Sequence, residues 1–208
     1  MTEQPIRKDI KTRGGGFKTS LRLCRPRIEL ITALAWFLFT VNAAADPQSD
    51  RVDRIKAAFV LNIARFVSWP PEAFESKDEQ LLLCLYRSNP IHQAVDLIQG
   101  EMVSGRHVSI TRVDSLNEND SCHILLIAHN ELRSYLKEAR FGPTIPLLTI
   151  ADLTESDSLL HAGSDIMISL VRDDTRIGFE INLNRSRQAG LKMSSQLLKL
   201  ATIVDEAP

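Results

Sequence analysis

The sequence has little of the residues that mark specialised chains: 3 cysteines, 9 glycines and 9 prolines among 208 residues, with 6% aromatics. So few glycines and prolines exclude a fibrous or low-complexity chain. A hydrophobic content of 44% is too high for an intrinsically disordered protein. The length fits one globular domain. Composition therefore indicates an ordinary globular protein.

Acidic and basic residues balance over the whole chain but not along it. The formal net charge is −1. Residues 1–45 hold 8 Lys or Arg against 3 Asp or Glu, which leaves 17 basic and 23 acidic residues in 46–208 and a net charge of −6 there. Because an acidic domain is repelled by a phosphate backbone, we expect no nucleic-acid partner.

The N-terminal segment has the pattern of a secretory signal peptide. Basic residues run from Lys8 to Arg27, and the 12-residue apolar run Leu30–Val41 follows them. Ala43-Ala44-Ala45 then offers the small residues that a signal peptidase reads. The pattern predicts Sec export to the periplasm and cleavage before Asp46.

A retained membrane anchor is the alternative interpretation of residues 1–45. Spanning about 30 Å of hydrocarbon takes roughly 20 helical residues, which is more than the apolar run supplies, so cleavage is favoured. No later apolar stretch reaches that length. We therefore expect a cleaved signal peptide over 1–45 and a folded domain over 46–208.

Export changes how the cysteines are interpreted, because Cys24 would leave with the signal peptide. Cys84 and Cys122 remain, and in an oxidising compartment two cysteines favour one disulfide. The alternative is a pair of buried free thiols, since Cys84 lies within the apolar run 81–86. Without a nearby histidine at ligand spacing, the pair does not indicate a zinc site.

Strand and helix patterns alternate along the folded domain. They predict a single α/β domain with a mixed sheet of about six strands, helices packed on it, and a C-terminal β-hairpin plus helix. The opening helix is expected from Asp50, with apolar residues at three- and four-residue steps, and it ends at Trp69-Pro70-Pro71. Those apolar residues are Val52, Ile55, Phe59, Ile63, Phe66 and Val67.

The remaining elements follow from shorter patterns. We expect short helices after Pro90, after a cap at Asn130, and after a cap at Asn184 with an interruption at Gly190. Asp173-Asp174-Thr175 is typical of a hairpin turn. The predicted strands are 81–86, 107–113, 122–128, 146–150, 166–171 and 177–183.

Motifs for catalysis, cofactors and metals are missing from the sequence. Gly14-Gly15-Gly16 has neither a strand before it nor a helix after it, so it is not a phosphate-binding loop. No G-x-S-x-G nucleophile motif occurs. We therefore expect no enzyme activity, no cofactor and no metal, and an envelope hydrolase is the least favoured class. The five histidines lie in different elements: His92, His107, His123, His129 and His161.

Two features suggest binding. Trp69 follows the first helix, where it is either a core residue or an exposed anchor for a partner. In the strand over 177–183, Phe179, Ile181 and Leu183 share one face, which leaves Glu180 and Asn182 on the other. That second face is either solvated or a recognition surface for a partner or small ligand.

The residues just described resemble a known family. Lys56-Ala57-Ala58-Phe59-Val60-Leu61-Asn62-Ile63-Ala64-Arg65-Phe66-Val67-Ser68-Trp69-Pro70 is similar to the opening signature of the YfiR/HmsC-like family. Ile177–Leu183 and Gly190–Ala201 look like its closing signature. The resemblance extends from about Arg51 to Ala201.

The resemblance implies a periplasmic, dimer-forming α/β protein. Such proteins restrain an inner-membrane diguanylate cyclase by binding its periplasmic sensory region, and release of the cyclase raises cyclic di-GMP and promotes biofilm formation. Relatives also respond to redox state, which fits Cys84 and Cys122 as the matching disulfide pair. A further cysteine pair of some members has no counterpart in residues 159–167 here.

The resemblance also suggests site residues. Glu180 matches a strand position implicated in family function, which adds it to Trp69 and Asn182 as the expected partner-binding residues. Ser68, Lys192 and Ser194 match positions that line a small-ligand pocket in relatives, which carry Arg and His there. We expect a repressor of a membrane cyclase, and the alternative is a periplasmic small-ligand sensor or carrier.

Overall fold

The computed structural model describes residues 47–116, 121–139, 145–155, 166–174 and 176–204. The expected signal peptide, its cleavage site, His161 and Thr175 of the expected turn lie outside these residues. The described part belongs to one compact unit that spans Ala45–Pro208.

The first helix, α1 (Pro47–Arg65), begins earlier than the expected Asp50 and ends four residues before Trp69. The buried residues of this helix are Lys56, Ala57, Val60, Leu61, Ile63 and Ala64. The expected apolar stripe is therefore shifted: Ile55 is 41% exposed and Phe59 is half-buried. Ile55 and Phe59 line a neighbouring groove.

Five parallel strands form the centre of the sheet. They are β2 (Leu81–Tyr86), β4 (Arg106–Val113), β5 (Ile124–Ala128), β6 (Leu148–Asp152) and β7 (Ile168–Asp173). Their spatial order is β4-β2-β5-β6-β7, the order of flavodoxin-like doubly wound folds. In β2, Leu83 and Leu85 face one core while Cys84 and Tyr86 face the other, so both sides of the strand are buried.

Helices cover both faces of the sheet. Residues of α1 and of α2 (His92–Asp96) belong to one core cluster, whereas those of α3 (Leu132–Ala139) belong to the other. Cys84 and Cys122 form a disulfide with their Cα atoms 5.9 Å apart. The bond joins β2 to the residues just before β5, within the second cluster. The disulfide interpretation of the cysteines is therefore confirmed over the free-thiol alternative.

The C-terminal third contains the expected hairpin. β8 (Arg176–Ile181) runs antiparallel to β7 with Leu170 opposite Phe179. Two short helices follow, α4 (Leu183–Gln188) and α5 (Ser195–Leu198), separated at Gly190, whose φ is +73°. The interruption of the closing helix at this glycine is thus confirmed.

Four strands of two residues were not predicted. β3 (Met102–Val103) and β10 (Thr202–Ile203) lengthen the sheet to eight strands instead of about six. β1 (Val67–Ser68) and β9 (Lys192–Met193) form a separate antiparallel pair. Two residues are too few to display a period, so only the pairing partner reveals such strands.

Two expected helix caps are wrong. The side chain of Asn182, not Asn184, accepts a hydrogen bond from the Arg185 N–H and caps α4, because β8 ends one residue earlier than Asn182. Asn130 lies inside a 3₁₀ turn, His129–Glu131, that leads directly into α3. The α/β class with a mixed sheet and a closing hairpin and helices is nevertheless the fold observed.

Candidate functional site

An apolar groove lies between α1, β8 and α5. It encloses about 350 Å³, and the rings of Phe59 and Phe179 in its lining make an edge-to-face contact with centroids 6.2 Å apart. Leu200, at its edge, is 74% exposed. None of the nine described lining residues is charged: Ile55, Ala58, Phe59, Asn62, Ile63, Phe66, Phe179, Leu197 and Leu200.

The groove joins the two ends of the described domain. Ile55 to Phe66 come from the first helix, and Phe179 to Leu200 come from the last quarter of the chain. Ile55 and Leu200 are among the few large hydrophobic residues that the described structure leaves exposed. Contiguous exposed apolar surface of this kind marks sites of protein–protein or ligand binding.

A second cavity, of about 270 Å³, lies among β1, the connection from β1 to β2, and the β3–β4 hairpin. The guanidinium of Arg106 stands 3.6 Å from the centroid of the Phe74 ring. Its Nη1 donates to the carbonyls of Ser76 and Glu79 at 3.0 and 2.6 Å. We call this space the Arg106 cavity; it is lined by Ser68, Trp69, Pro71, Phe74, Leu81, Val103, Ser104 and Arg106.

His123 lies behind the aromatic wall of the Arg106 cavity and is 3% exposed. Its ring stacks on Phe74 with centroids 4.3 Å apart. The Leu82 N–H donates to its Nδ1 at 3.1 Å, and its Nε2 lies 3.0 Å from the Ala73 carbonyl oxygen. A backbone N–H only donates and a carbonyl only accepts, so the neutral ring carries its proton on Nε2.

Burial lowers the pKa of the His123 imidazole below its ordinary value of 6.5. The nearby charge of Arg106 acts in the same direction, whereas the hydrogen bond to Ala73 and the Glu79 carboxylate act against it. The Glu79 Oε1 lies 3.8 Å from Nε2. Because desolvation is the largest of these effects on the pKa, the imidazole is neutral near pH 7.

The structure brings the three expected ligand-binding residues together. Ser68 in β1 lies opposite Lys192 in β9, and the Ser194 N–H donates to the Phe66 carbonyl at 2.9 Å. The Ser194 hydroxyl accepts from the Leu197 N–H and caps α5. Ser68 and Lys192 are exposed, and Ser68 also lines the Arg106 cavity. Their ligand-binding role stays a prediction.

The three expected partner-binding residues do not share one surface. Trp69 is half-buried and donates from its indole N–H to the His123 carbonyl at 3.2 Å, just before β5. Glu180 lies in β8, which is three strand spacings from β5, or roughly 14 Å. Asn182 is 5% exposed and caps α4. A partner role for each of the three stays a prediction.

At the carboxyl edge of the parallel strands, where doubly wound folds bind ligands, several of the described side chains bond to one another. After β2, Arg87 pairs with Glu138 of α3, and the Tyr86 hydroxyl donates to the same carboxylate at 2.9 Å. Burial and then this bond raise the pKa of Tyr86 well above its ordinary value. The Asn89 amide donates to the Leu126 carbonyl at 3.4 Å.

A buried ion pair occupies the same edge at the end of β6. Lys56 is 1% exposed, and its Nζ lies 2.9 Å from an Asp152 oxygen and 3.4 Å from Glu155. Among the residues that the structure describes, no three His, Cys, Asp or Glu side chains are placed to hold a metal ion. The groups at this edge are thus paired with one another.

Sequence reasoning missed Lys56, Asp152 and His123. A signal for Lys56 was available, because its position adjoins the buried stripe of α1, where an unpaired ammonium would be costly. His123 adjoins Cys122, but the sequence alone does not distinguish it from the other four histidines. Its partners Leu82 and Ala73 lie 41 and 50 residues away, so no local pattern identifies them.

The fold and these sites define a doubly wound α/β protein with an apolar groove and a buried ion pair at the carboxyl edge of its sheet. The YfiR/HmsC-like family model matches residues 53–202, so the chain belongs to the YfiR/HmsC-like family. Proteins of this family are periplasmic regulators of cyclic di-GMP signalling rather than enzymes. No curated protein matches the chain. Within the described ranges, no helix is both long and apolar enough to cross a membrane.

Proposed function

We propose that this chain is a periplasmic repressor that binds the periplasmic sensory region of an inner-membrane diguanylate cyclase. Binding holds the cyclase in its inactive state, so that cyclic di-GMP falls and biofilm formation is restrained. A regulator shifts such an equilibrium only by binding one state of its partner more tightly than the other. This chain would act by stoichiometric binding and not by turnover.

The observation that carries the proposal is the apolar groove between α1, β8 and α5. Exposed Ile55 and Leu200 and the half-buried Phe59 and Phe66 give it several large apolar side chains in one place. Desolvated apolar and aromatic anchors supply most of the binding energy in protein interfaces. The opening and closing segments that carry the family resemblance also meet at this groove.

Two exposed basic residues lie near the groove. Arg51, one turn before Ile55 on α1, and Lys199, next to Leu200, are both exposed. An apolar partner helix or strand flanked by carboxylates would match this arrangement, with the apolar residues in the groove and the carboxylates at its rim. We propose that the sensory region of the cyclase presents such a segment.

Crosslinking tagged protein in the periplasm, followed by mass spectrometry of the captured membrane proteins, tests the proposal. The wild type should capture one membrane diguanylate cyclase, and Leu200→Glu should lose it and raise cyclic di-GMP as deletion does. Leu97→Glu is the matched control, because Leu97 is 64% exposed outside the groove. Unchanged cyclic di-GMP after deletion, in both oxidising and reducing media, would sink the proposal.

Glu180→Lys is a second variant for the same experiment. Glu180 follows Phe179 in β8 and lies on the other face of the strand, so loss of capture in this variant would indicate an interface that extends beyond the groove. Trp69 and Asn182 make structural hydrogen bonds, and their variants would mix stability with binding. Equal capture by Glu180→Lys and the wild type would remove Glu180 from the interface.

Export and dimerisation complete the proposal. We propose that residues 1–45 are a Sec signal peptide and that the mature chain forms a homodimer. The intact mass of the periplasmic protein should begin at Asp46, and light scattering should give twice the mass of one mature chain. A membrane-bound protein with an intact N-terminus would instead support the anchor interpretation.

A small-ligand sensor is the second candidate function, and the Arg106 cavity favours it. The cavity combines a guanidinium, the aromatic residues Trp69 and Phe74 and the hydroxyl of Ser68. This chemistry suits a small carboxylate or phosphate compound that carries a ring. A ligand at 100 times its Kd would stabilise the protein by about 2.7 kcal/mol. A thermal-shift screen should detect it, and Arg106→Ala should abolish the shift.

A further inference from the structure

Both ring nitrogens of His123 are used by the segment that leads from α1 into β2. Nδ1 accepts from the Leu82 N–H, and Nε2 donates to the Ala73 carbonyl. A second proton can bind only at Nδ1. That proton would point at the Leu82 N–H, whose nitrogen lies 3.1 Å from Nδ1. Two donors would then face each other without an acceptor. The imidazolium is incompatible with this arrangement, because a buried donor without an acceptor is strongly disfavoured.

We propose that His123 is an acid-sensitive latch: its protonation releases residues 69–80 from the amino edge of the sheet and opens the wall of the Arg106 cavity. This segment supplies Trp69, Pro71 and Phe74 to that wall. Trp69 and Phe74 both contact His123, the first through its indole N–H and the second by stacking. Loss of the ring's position removes the stacking support of Phe74, whereas Trp69 is bonded to the backbone carbonyl of His123.

Two charged groups face the ring from the elements packed against it. Glu79 stands before β2 and favours protonation, whereas Arg106 at the start of β4 opposes it. Arg106 also holds the segment itself, through the carbonyls of Ser76 and Glu79. The latch therefore consists of a titrating part, His123, and a permanently charged part, Arg106.

The direction of the pH effect follows from the lowered pKa of His123. A released histidine titrates near its ordinary pKa of 6.5, and the latched ring titrates at lower pH. Protons therefore bind the released form more readily. The latch is fully stable above pH 6.5 and weakens as the pH falls from 6.5 through the pKa of the latched ring. This inference does not depend on the proposed cyclase partner.

Hydrogen–deuterium exchange of the purified protein tests the latch. Protection factors for the peptide 70–82 should fall at least about tenfold between about pH 7.5 and about pH 5, while the core strand 124–128 keeps its protection. His123→Gln should remove this pH dependence. His107→Gln is the matched control, since His107 is exposed on β4, and it should behave as the wild type does. A pH-independent wild type, or an unchanged pH response in His123→Gln, would overturn the proposal.

Nitrogen NMR of the imidazole in the wild type keeps the proposal testable if His123→Gln does not fold. The ring should be the neutral Nε2–H tautomer near pH 7. Its protonation midpoint should coincide with the pH at which the Leu82 amide loses protection. A neutral Nδ1–H tautomer, or two midpoints that differ, would overturn the latch.

Discussion

The ammonium of Lys56 lies 2.9 Å from the carboxylate of Asp152, and this buried ion pair joins the middle of α1 to the end of β6. The other Asp152 oxygen accepts hydrogen bonds from the backbone N–H and the hydroxyl of Thr154 at 3.1 and 2.7 Å. Burying two charges is costly, so such a pair persists only when nearly all of its hydrogen bonds are made. Because Lys56 must reach Asp152 to form this pair, the pair restricts the position of α1 along the sheet.

Removing one partner of the pair should destabilise the fold strongly. Lys56→Met leaves the Asp152 carboxylate buried without its cation, which we expect to cost about 3–5 kcal/mol of unfolding free energy. The double variant Lys56→Met/Asp152→Asn should lose less than the sum of the two single changes, because neither residue then carries a charge. Urea unfolding of the four proteins measures this, and simple additivity would contradict the pairing.

Asp53 provides a pH-dependent prediction. Burial, and then the carboxylates of Glu155, Asp152 and Asp50, raise its pKa above the ordinary 3.8, although Lys56 opposes them. The folded state therefore holds this proton more tightly than the unfolded state, and Asp53 lowers stability as the pH rises through its folded pKa. Asp53→Asn should raise the melting temperature near pH 7 and lose that advantage below pH 3.8. A variant less stable than the wild type at pH 7 would contradict this.

The disulfide should contribute to stability and resist reduction. Cys84 and Cys122 are 38 residues apart, and closing that loop is worth about 4 kcal/mol in the chain-entropy model. Cys84→Ser should thus lower the melting temperature by roughly 10 °C. Cys84 is fully buried, so mild reductant should open the bond only through local unfolding. Rapid alkylation of both cysteines in the untreated native protein would show that the bond is absent.

Substitution by alanine should cost more stability at Gly190 than at Gly178. The Gly190 φ of +73° is unfavourable for a residue with a Cβ, and Gly190→Ala should cost about 1 kcal/mol. Steric contact is not the cause, since an added Cβ would stand 3.7 Å from the Pro70 side chain. Gly178→Ala is the control: it has ordinary φ and open space around it, so thermal unfolding should change little. Equal losses would contradict the backbone explanation.

The structure limits the redox response that the family resemblance implies, because the disulfide is buried. A reductant reaches a disulfide sulfur only if that sulfur is exposed, and Cys84 has no exposure while Cys122 has 6%. The bond lies in the second core, beside Tyr86 and Leu125. A redox response of this protein would therefore depend on how often the core opens around the residues before β5.

Elements with many local apolar residues could be predicted well. The runs around Cys84 and Leu125 are apolar, which is typical of strands buried on both faces. Both are central strands of the sheet. The hairpin of β7 and β8 could also be predicted, from the alternation of apolar and polar residues in its strands and from its turn residues. The four two-residue strands could not be predicted, since each depends on a distant partner, as Ser68 does on Lys192.

Sequence by itself determined the α/β class and the family, because periodicity, composition and signature motifs are properties of neighbouring residues. It favoured the pair Cys84 and Cys122, and the structure decided between the disulfide and free thiols. Only the tertiary structure decided which groups meet: Lys56 with Asp152, the His123 ring with Leu82 and Ala73, and Phe59 with Phe179. The two residues of each pair are 41 to 120 positions apart in the sequence, and they meet because packing of the folded chain brings them together. A charge or polar atom removed from water must find a partner wherever the packed chain provides one.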